Sequence, residues 1–514
     1  MIKRRYDYII LGAGTSGCYL AHVLSQDKAN KVLVVEAGAL SKNPVFTMPA
    51  GFTQTLFDKN YNWCFNSQPE AQLANRSIYC PRGKVVGGSS MINGMIHSIG
   101  QVEDYQDWQA SGFDLVEPQA VMAKFQELFP NGDELTKAES HVLESAFLNA
   151  CEQMGLPGVD KLHEHQSEHV AGTYYHTVAS GRRASARSLL PDLKQRPNVT
   201  FLTDTVIDQL VFKQGKVHTI KACKGNKKPF DIAVKGKVIL SLGAIGTPAL
   251  LQRSGVGRVD DLSPLNIQQV QDLPVGENLQ DHLLVKRTYK LNNVRTYNRD
   301  AAGLSITKTL WDYSVNRKGA MTAGASSTGA FLSVDDNERP DTQVFFSYGS
   351  ATDNGKALIA DSFDAITIGT YQLRPESRGK VAITSQDPFS SPSICYNYLA
   401  SDTDWHVTRE GLKYQERLMA QPAFTTYEPE ALVTDTDHDD YIRDYAETAH
   451  HPVGTCSVGE NGVVDGDLSV YGIDNLSIAD ASIIPSIISG NTQAICAVIG
   501  NVLGEAMLAR SNHV

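Results

Sequence analysis

Apolar runs and small polar breaks alternate sharply at the start of the chain. In "YDYIILGAGTSGCYLAHVLSQ", residues 6–26, a short unbroken apolar run meets a cluster of glycines. Apolar positions then recur at helical spacing. A run of this length that ends in glycine predicts a buried strand, a tight turn and a helix. "KVLVVEAG", residues 31–38, predicts a second buried strand. Strand, helix and strand form a βαβ unit, expected to be parallel and right-handed.

The pattern changes after residue 40. Residues 41–110 are rich in Gly and Pro and predict loops. "AESHVLESAFLNACEQMG", residues 138–155, has helical spacing. "NVTFLTDTVIDQLVF", residues 198–212, and "GKVIL", residues 236–240, predict strands that return to the first sheet. Residues 286–444 mix β and α patterns, with strands expected in "AITIGTYQL" and "GKVAITS". Near the C-terminus, "LSIADASI" and "AICAVIGNVLGEAMLARS" predict strand, loop and helix. No internal repeat or low-complexity segment is present.

With 514 residues, the chain is too long for a single core. Its composition, 42% apolar and 20% charged, is that of a globular protein. The net charge of -11 argues against general nucleic-acid binding, which needs a basic surface. The eight cysteines are scattered without a C-x-x-C pair, which fits free thiols rather than a zinc site or a disulfide framework. No apolar run approaches the roughly 20 residues of a membrane helix. The opening "MIKRRYDYIILGAG" has basic then apolar residues, yet it breaks at once into glycines, so it reads as a buried strand rather than a signal peptide. The expected location is cytoplasmic, with contact at the inner-membrane surface left open.

"GAGTSG" places Gly12, Gly14, Thr15, Ser16 and Gly17 between the first strand and the helix. Gly12 permits the turn, Gly14 admits a pyrophosphate close to the backbone, and Gly17 lets the helix pack near the strand. The helix N-terminus offers free N–H groups and partial positive charge to phosphates. Glu36, followed by Ala37, ends the second strand where a ribose-binding acid belongs. A bare glycine motif is weak evidence. With strand, helix and acid in place it points to a dinucleotide, without separating NAD from FAD. At the other end, "AETAHHPVGTCSVG" sets His450 and His451 against Pro452. Histidine can take and return a proton near neutrality, and the proline restricts the backbone beside it. No metal-ligand spacing surrounds the pair.

Several long motifs occur in order: "PRGKVVGGSSMINGMIHSIG", "GAIGTPALLQRSGVG", "VGENLQDH", "RPESRGKVAITSQDPFSSPSICYNYLASDTD", "HPVGTC" and "ADASIIPSIISGNTQA". Together they resemble the glucose–methanol–choline (GMC) oxidoreductase family over nearly the whole chain. The resemblance implies an α/β fold: a Rossmann-like FAD-binding domain of the GMC type with a second α+β substrate domain. Residues 1–155, 195–285 and 445–514 are assigned to the first domain, and 156–194 and 286–444 to the second. It further implies that Arg82, Val86, Gly88, Asn93, Gly94, Met95 and Ile96 lie along the flavin and its phosphates. Ile207 is placed near the adenine, Asp480 and Ala481 near the pyrophosphate, and Thr492 in the same cofactor set. Where some relatives attach FAD through a histidine, this chain has Ile92, so FAD is expected to be non-covalent. His97 stands where an aromatic residue or Ala is usual; a third pocket histidine and a hydrogen-bonded loop histidine are both open.

The same resemblance makes His451, directly before Pro-x-Gly, the catalytic base and Asn491 its partner. His450 takes a place that is often aromatic in relatives and is expected to pack with a polar contact, a pocket role being the lesser reading. The implied reaction is FAD-dependent oxidation of a small-molecule primary alcohol to an aldehyde, with His451 taking the hydroxyl proton. The electron acceptor is a quinone, another carrier or oxygen. Choline dehydrogenase, an oxygen-using oxidase and, from another class, a flavin-containing hydroxynitrile lyase are the alternatives. Choline-oxidising relatives carry E-x-G-x-F; in "SSTGAF", residues 326–331, the glutamate's place is taken by Ser327, which favours a neutral alcohol. Residues 304–319 mix apolar and basic side chains, as a lid, a surface helix or a membrane contact would. No metal site is expected, and the oligomeric state is left open.

Overall fold

In this computed structural model, residues 5–115, 117–130, 135–225, 228–301, 303–335, 337–353, 355–434 and 436–511 are described. Residues 1–4 and the last three residues lie outside them.

The first sheet is wholly parallel. Its order is Val199–Leu202, Val32–Val35, Tyr8–Leu11, Lys237–Leu240 and Leu476–Ile478. Tyr8 faces Val32 on one side and Lys237 on the other. All residues of the two strands "YIIL" and "VLVV" are buried, as expected of a sheet covered on both faces. The helix Thr15–Leu24 follows the first strand and packs on the long helix Gln493–Ser511, so the chain's two ends share one core.

One strand expectation fails. Thr205–Lys213 does not join this sheet; it pairs antiparallel with Lys216–Lys224, which pairs with Phe230–Ala233. A two-residue reversal at Gln214 and Gly215, both at positive φ, folds it onto its sequence neighbour before it can reach the parallel sheet.

The second sheet is largely antiparallel. Its order is Glu430–Ala431, Leu283–Lys290, Ala365–Gln372, Thr342–Ser347, Thr328–Leu332, Val170–Thr173 and Gly158–Val159, with only the last pair parallel; Glu447–Thr448 also pairs with Leu283–Lys290. The strand Leu283–Lys290 alternates buried and half-buried positions, which marks one covered face. Helix Val142–Gln153, although assigned by sequence to the first domain, contributes Phe147 and Ala150 to the core beneath this second sheet, beside Phe346 and Ile368. The chain therefore crosses between the two sheets several times, and a cavity opens where they meet.

Candidate active site

The cavity, of about 1250 Å3, is lined both by the glycine turn at residues 12–16 and by the histidine pair at residues 450–451. Every site residue expected from sequence lines it except Gly17 and Val86. Gly17 lies behind the wall: a Cβ there would sit 2.1 Å from the Gly12 carbonyl oxygen. Its role is close packing of helix on turn. Val86 is buried in the core of the first domain, with its N–H donating to the Ala39 carbonyl at 3.2 Å. It supports the wall without forming it.

At the glycine end the wall is backbone. Gly12 adopts φ +106°, and a Cβ would meet the Ser241 carbonyl oxygen at 2.2 Å. Gly14 begins the helix with no side-chain cap, and the first turn holds no acidic residue. Its N–H groups thus have no protein side chain to satisfy them, which suits a phosphate. Glu36 accepts from the N–H of Ala13 at 2.9 Å and of Gly38 at 2.8 Å. Burial pushes its carboxyl up to about 7, against those hydrogen bonds. Asp480 also lines the cavity, but its oxygens accept from Gly243 N–H, the Thr247 hydroxyl and Ser482 N–H. It fixes the surrounding backbone rather than facing a phosphate with a bare charge.

At the histidine end the wall is side chain. His451 Nδ1 lies 3.0 Å from Nδ1 of His282, and its Nε2 lies 3.0 Å from Asn491 Nδ2, which donates to it. His282 Nε2 donates to the Leu373 carbonyl at 2.9 Å. The His451 N–H donates to Asp281 Oδ1 at 2.6 Å; the other Asp281 oxygen accepts from the Tyr398 and Thr448 hydroxyls. Burial, with His282, His450 and Arg82 close by, holds His451 well below the usual histidine range. Burial thus favours its neutral form. The Asn491 carbonyl oxygen is buried without a hydrogen-bond partner.

Of the two roles expected of His450, the pocket role matches its place in the cavity lining. His450 sits at φ +69°, with its carbonyl held by Arg82 Nη2 at 2.8 Å. Its Nδ1 is buried without a hydrogen-bond partner. His97 does not line the cavity; it packs edge-on against His163 at 5.2 Å and beside Phe129. Asp281 and His282 received no role from sequence, although they close the "VGENLQDH" motif. Among the described residues no cluster of three or more His, Cys, Asp or Glu could hold a metal ion, and all eight cysteines are free. No described helix is long and apolar enough to cross a membrane.

The sequence pattern of GMC oxidoreductases matches residues 6–284 and 375–500. The chain belongs to the GMC oxidoreductase family. It is 34% identical to the oxygen-dependent choline dehydrogenase of Acinetobacter baumannii, over 99% of this chain and 97% of that one. The counterpart from Chromohalobacter salexigens is also 34% identical, over 98% and 95%. Pyridoxine 4-oxidase from Mesorbium loti superposes with a TM-score of 0.85 at 23% identity, covering 98% of this chain and 99% of that one; at that identity the likeness is one of fold. This GMC protein is thus an FAD-dependent oxidoreductase acting on CH–OH donors. Its own geometry fits the cofactor: an uncapped, acid-free helix N-terminus for phosphate and a buried acid at the strand end for ribose.

Proposed function

We propose that the protein oxidises a neutral primary alcohol to the aldehyde, with His451 as general base and Asn491 orienting the hydroxyl. The observation that carries this is the 3.0 Å pairing of His451 Nε2 with the Asn491 amide on the wall of the same cavity as the glycine turn. Bound FAD, held non-covalently because Ile92 offers no point of attachment, supplies the two-electron hydride acceptor. Residues 12–16, Glu36 and the stretch 82–96 hold it. We also assign the parallel sheet to cofactor binding and the second sheet to the substrate.

The protein's part is positioning and proton transfer. In the free site the lone pair of His451 Nε2 accepts from Asn491. An entering hydroxyl takes both partners: it donates to Nε2 and accepts from the amide. The rearrangement exchanges hydrogen bonds, so its net cost is small. Because His451 is held neutral by burial, it accepts the proton as the C–H bond breaks, and it releases that proton readily afterwards. General-base help of this kind contributes roughly a hundred- to ten-thousand-fold in rate.

A neutral substrate is supported by the lining. Met48, Phe52, Leu56, Ile306, Leu310 and Phe345 are apolar, and Ser327 is neutral. Choline is the second reading, favoured by the named relatives. A desolvated quaternary ammonium needs an aromatic cage or a carboxylate. Glu447 lines the cavity, but Lys286 already holds it at 2.5 Å. The helix Ser305–Asn316 lines the cavity through Ile306 and Leu310. Its exposed Leu304, Trp311 and Val315 are what a membrane-surface contact would use. The test is the rate of anaerobic flavin reduction by butanol, octanol, benzyl alcohol and choline, followed by reoxidation with oxygen or a quinone. The neutral alcohols should bleach the flavin faster. Choline as the fastest substrate overturns the substrate reading, and no bleaching by any alcohol points to non-redox chemistry.

A further inference from the structure

His282 is fully buried, 169 residues from His451 in sequence, and the two side chains meet nitrogen to nitrogen. Two nitrogens 3.0 Å apart need one proton between them, and the surroundings decide whose it is. The Leu373 carbonyl can only accept, so the hydrogen on His282 is on Nε2. A neutral imidazole carries one N–H, which leaves His282 Nδ1 as a lone pair. Burial keeps His282 neutral, holding it down to about 4. The hydrogen between the rings therefore belongs to His451 Nδ1. This leaves His451 with its lone pair on Nε2, the nitrogen beside Asn491.

We propose that His282 is a positioning residue that holds the His451 hydrogen on Nδ1 and so keeps Nε2 free to act as the base. The inference rests on the reading of His451 as that base. The geometry is rigid on every side. The His282 ring stacks on Tyr371 at 4.7 Å with an interplanar angle of 24°. The two imidazoles stand at 85°, so the bond between them runs edge to edge. The preceding residue, Asp281, holds the His451 backbone N–H, so two consecutive residues fix both the backbone and the ring of His451. Were the hydrogen on Nε2 instead, His451 would present a donor to the alcohol and could not take its proton. A neutral acceptor at Nδ1 also differs from a carboxylate: it orients the ring without raising its basicity strongly, and the proton taken from the substrate is easily returned.

Two substitutions separate this role from packing. Asparagine can place its Oδ1 where His282 presents Nδ1, and so can accept from His451. Glutamine can place its amide where His282 presents Nε2, keeping the bond to Leu373 but not the acceptor. His282→Asn should keep the rate of anaerobic flavin reduction within about tenfold of the parent. His282→Gln should lower it roughly 100- to 1000-fold with FAD content and KM little changed. Equal rates in the two variants overturn the proposal. A second measurement needs no variant at position 282 and no turnover: 15N NMR of the histidine-labelled holoenzyme, with His451 assigned by the signals lost in His451→Ala. The expected result is a protonated Nδ1 and an unprotonated Nε2 on His451; the reverse overturns the proposal. If His451→Ala reduced flavin at the parent rate, the base reading would fall, and the NMR result would still report which nitrogen carries the hydrogen.

Discussion

At the glycine turn the cavity wall is main chain; at the histidine corner it is the side chains of His450, His451 and Asn491, with Asp281, His282 and Leu373 behind them. The first is built by removal. Gly12 leaves no atom between its backbone and Ser241, and Gly14 leaves the helix start uncapped. The second is built by addition: Asp281 and His282, Leu373, His451 and Asn491 converge through hydrogen bonds, each of which needs a particular atom. At Gly12 and Gly17 the backbone cradle tolerates no added atom, whereas a side-chain relay tolerates only replacements that keep the donor or acceptor. Substitutions at the first should therefore cost the cofactor and the fold; those at the second should cost rate alone.

The largest effect should come from Gly12→Ala. The new Cβ would lie 2.2 Å from the Ser241 carbonyl, at a φ of +106° that side chains resist. A destabilisation of roughly 3–5 kcal/mol is expected, with little flavin retained. The flavin-to-protein absorbance ratio and the thermal midpoint measure it. A holoenzyme with full flavin content would break the contrast.

A smaller effect concerns pH. The Glu36 carboxyl is raised to about 7 by burial, and a ribose hydroxyl donating to it favours the ionised form. Cofactor binding then lowers this pKa and releases a proton. Affinity therefore rises with pH up to about 7 and falls below it, by at most about tenfold per pH unit. Fluorescence titration of apo-protein with FAD between about pH 5.5 and 8 checks the sign, and Glu36→Gln should flatten the curve. Affinity that increases on acidification would show that Glu36 does not serve the ribose.

The same contrast explains what could be read from the chain. The glycine turn, its helix and Glu36 lie within a few dozen residues, so local patterning predicts them together. The histidine pair stands out beside Pro452, but the choice of His451 over His450 and its pairing with Asn491 come only from the resemblance of whole motifs to a family. Asp281 and His282 escaped because their partners lie 170 and 169 residues away, and a buried Asp-His pair in a loop has no local signature. The pattern over Thr205–Lys213 predicts a strand, but apolar alternation does not say which sheet a strand joins. Val86 and Gly17 belong to motifs that touch the cavity, yet a motif position does not reveal which face of the wall a residue occupies.

On the proposed reading His451, rather than its neighbour, takes the proton. This is tested most directly by comparing His451→Ala and His450→Ala in anaerobic stopped-flow reduction of the bound flavin by a good alcohol substrate. Both variants should keep the flavin spectrum and content. His451→Ala should reduce flavin roughly 100- to 10,000-fold more slowly than the parent, and His450→Ala should be far closer to it. Reduction lost in His450→Ala and preserved in His451→Ala would contradict the account.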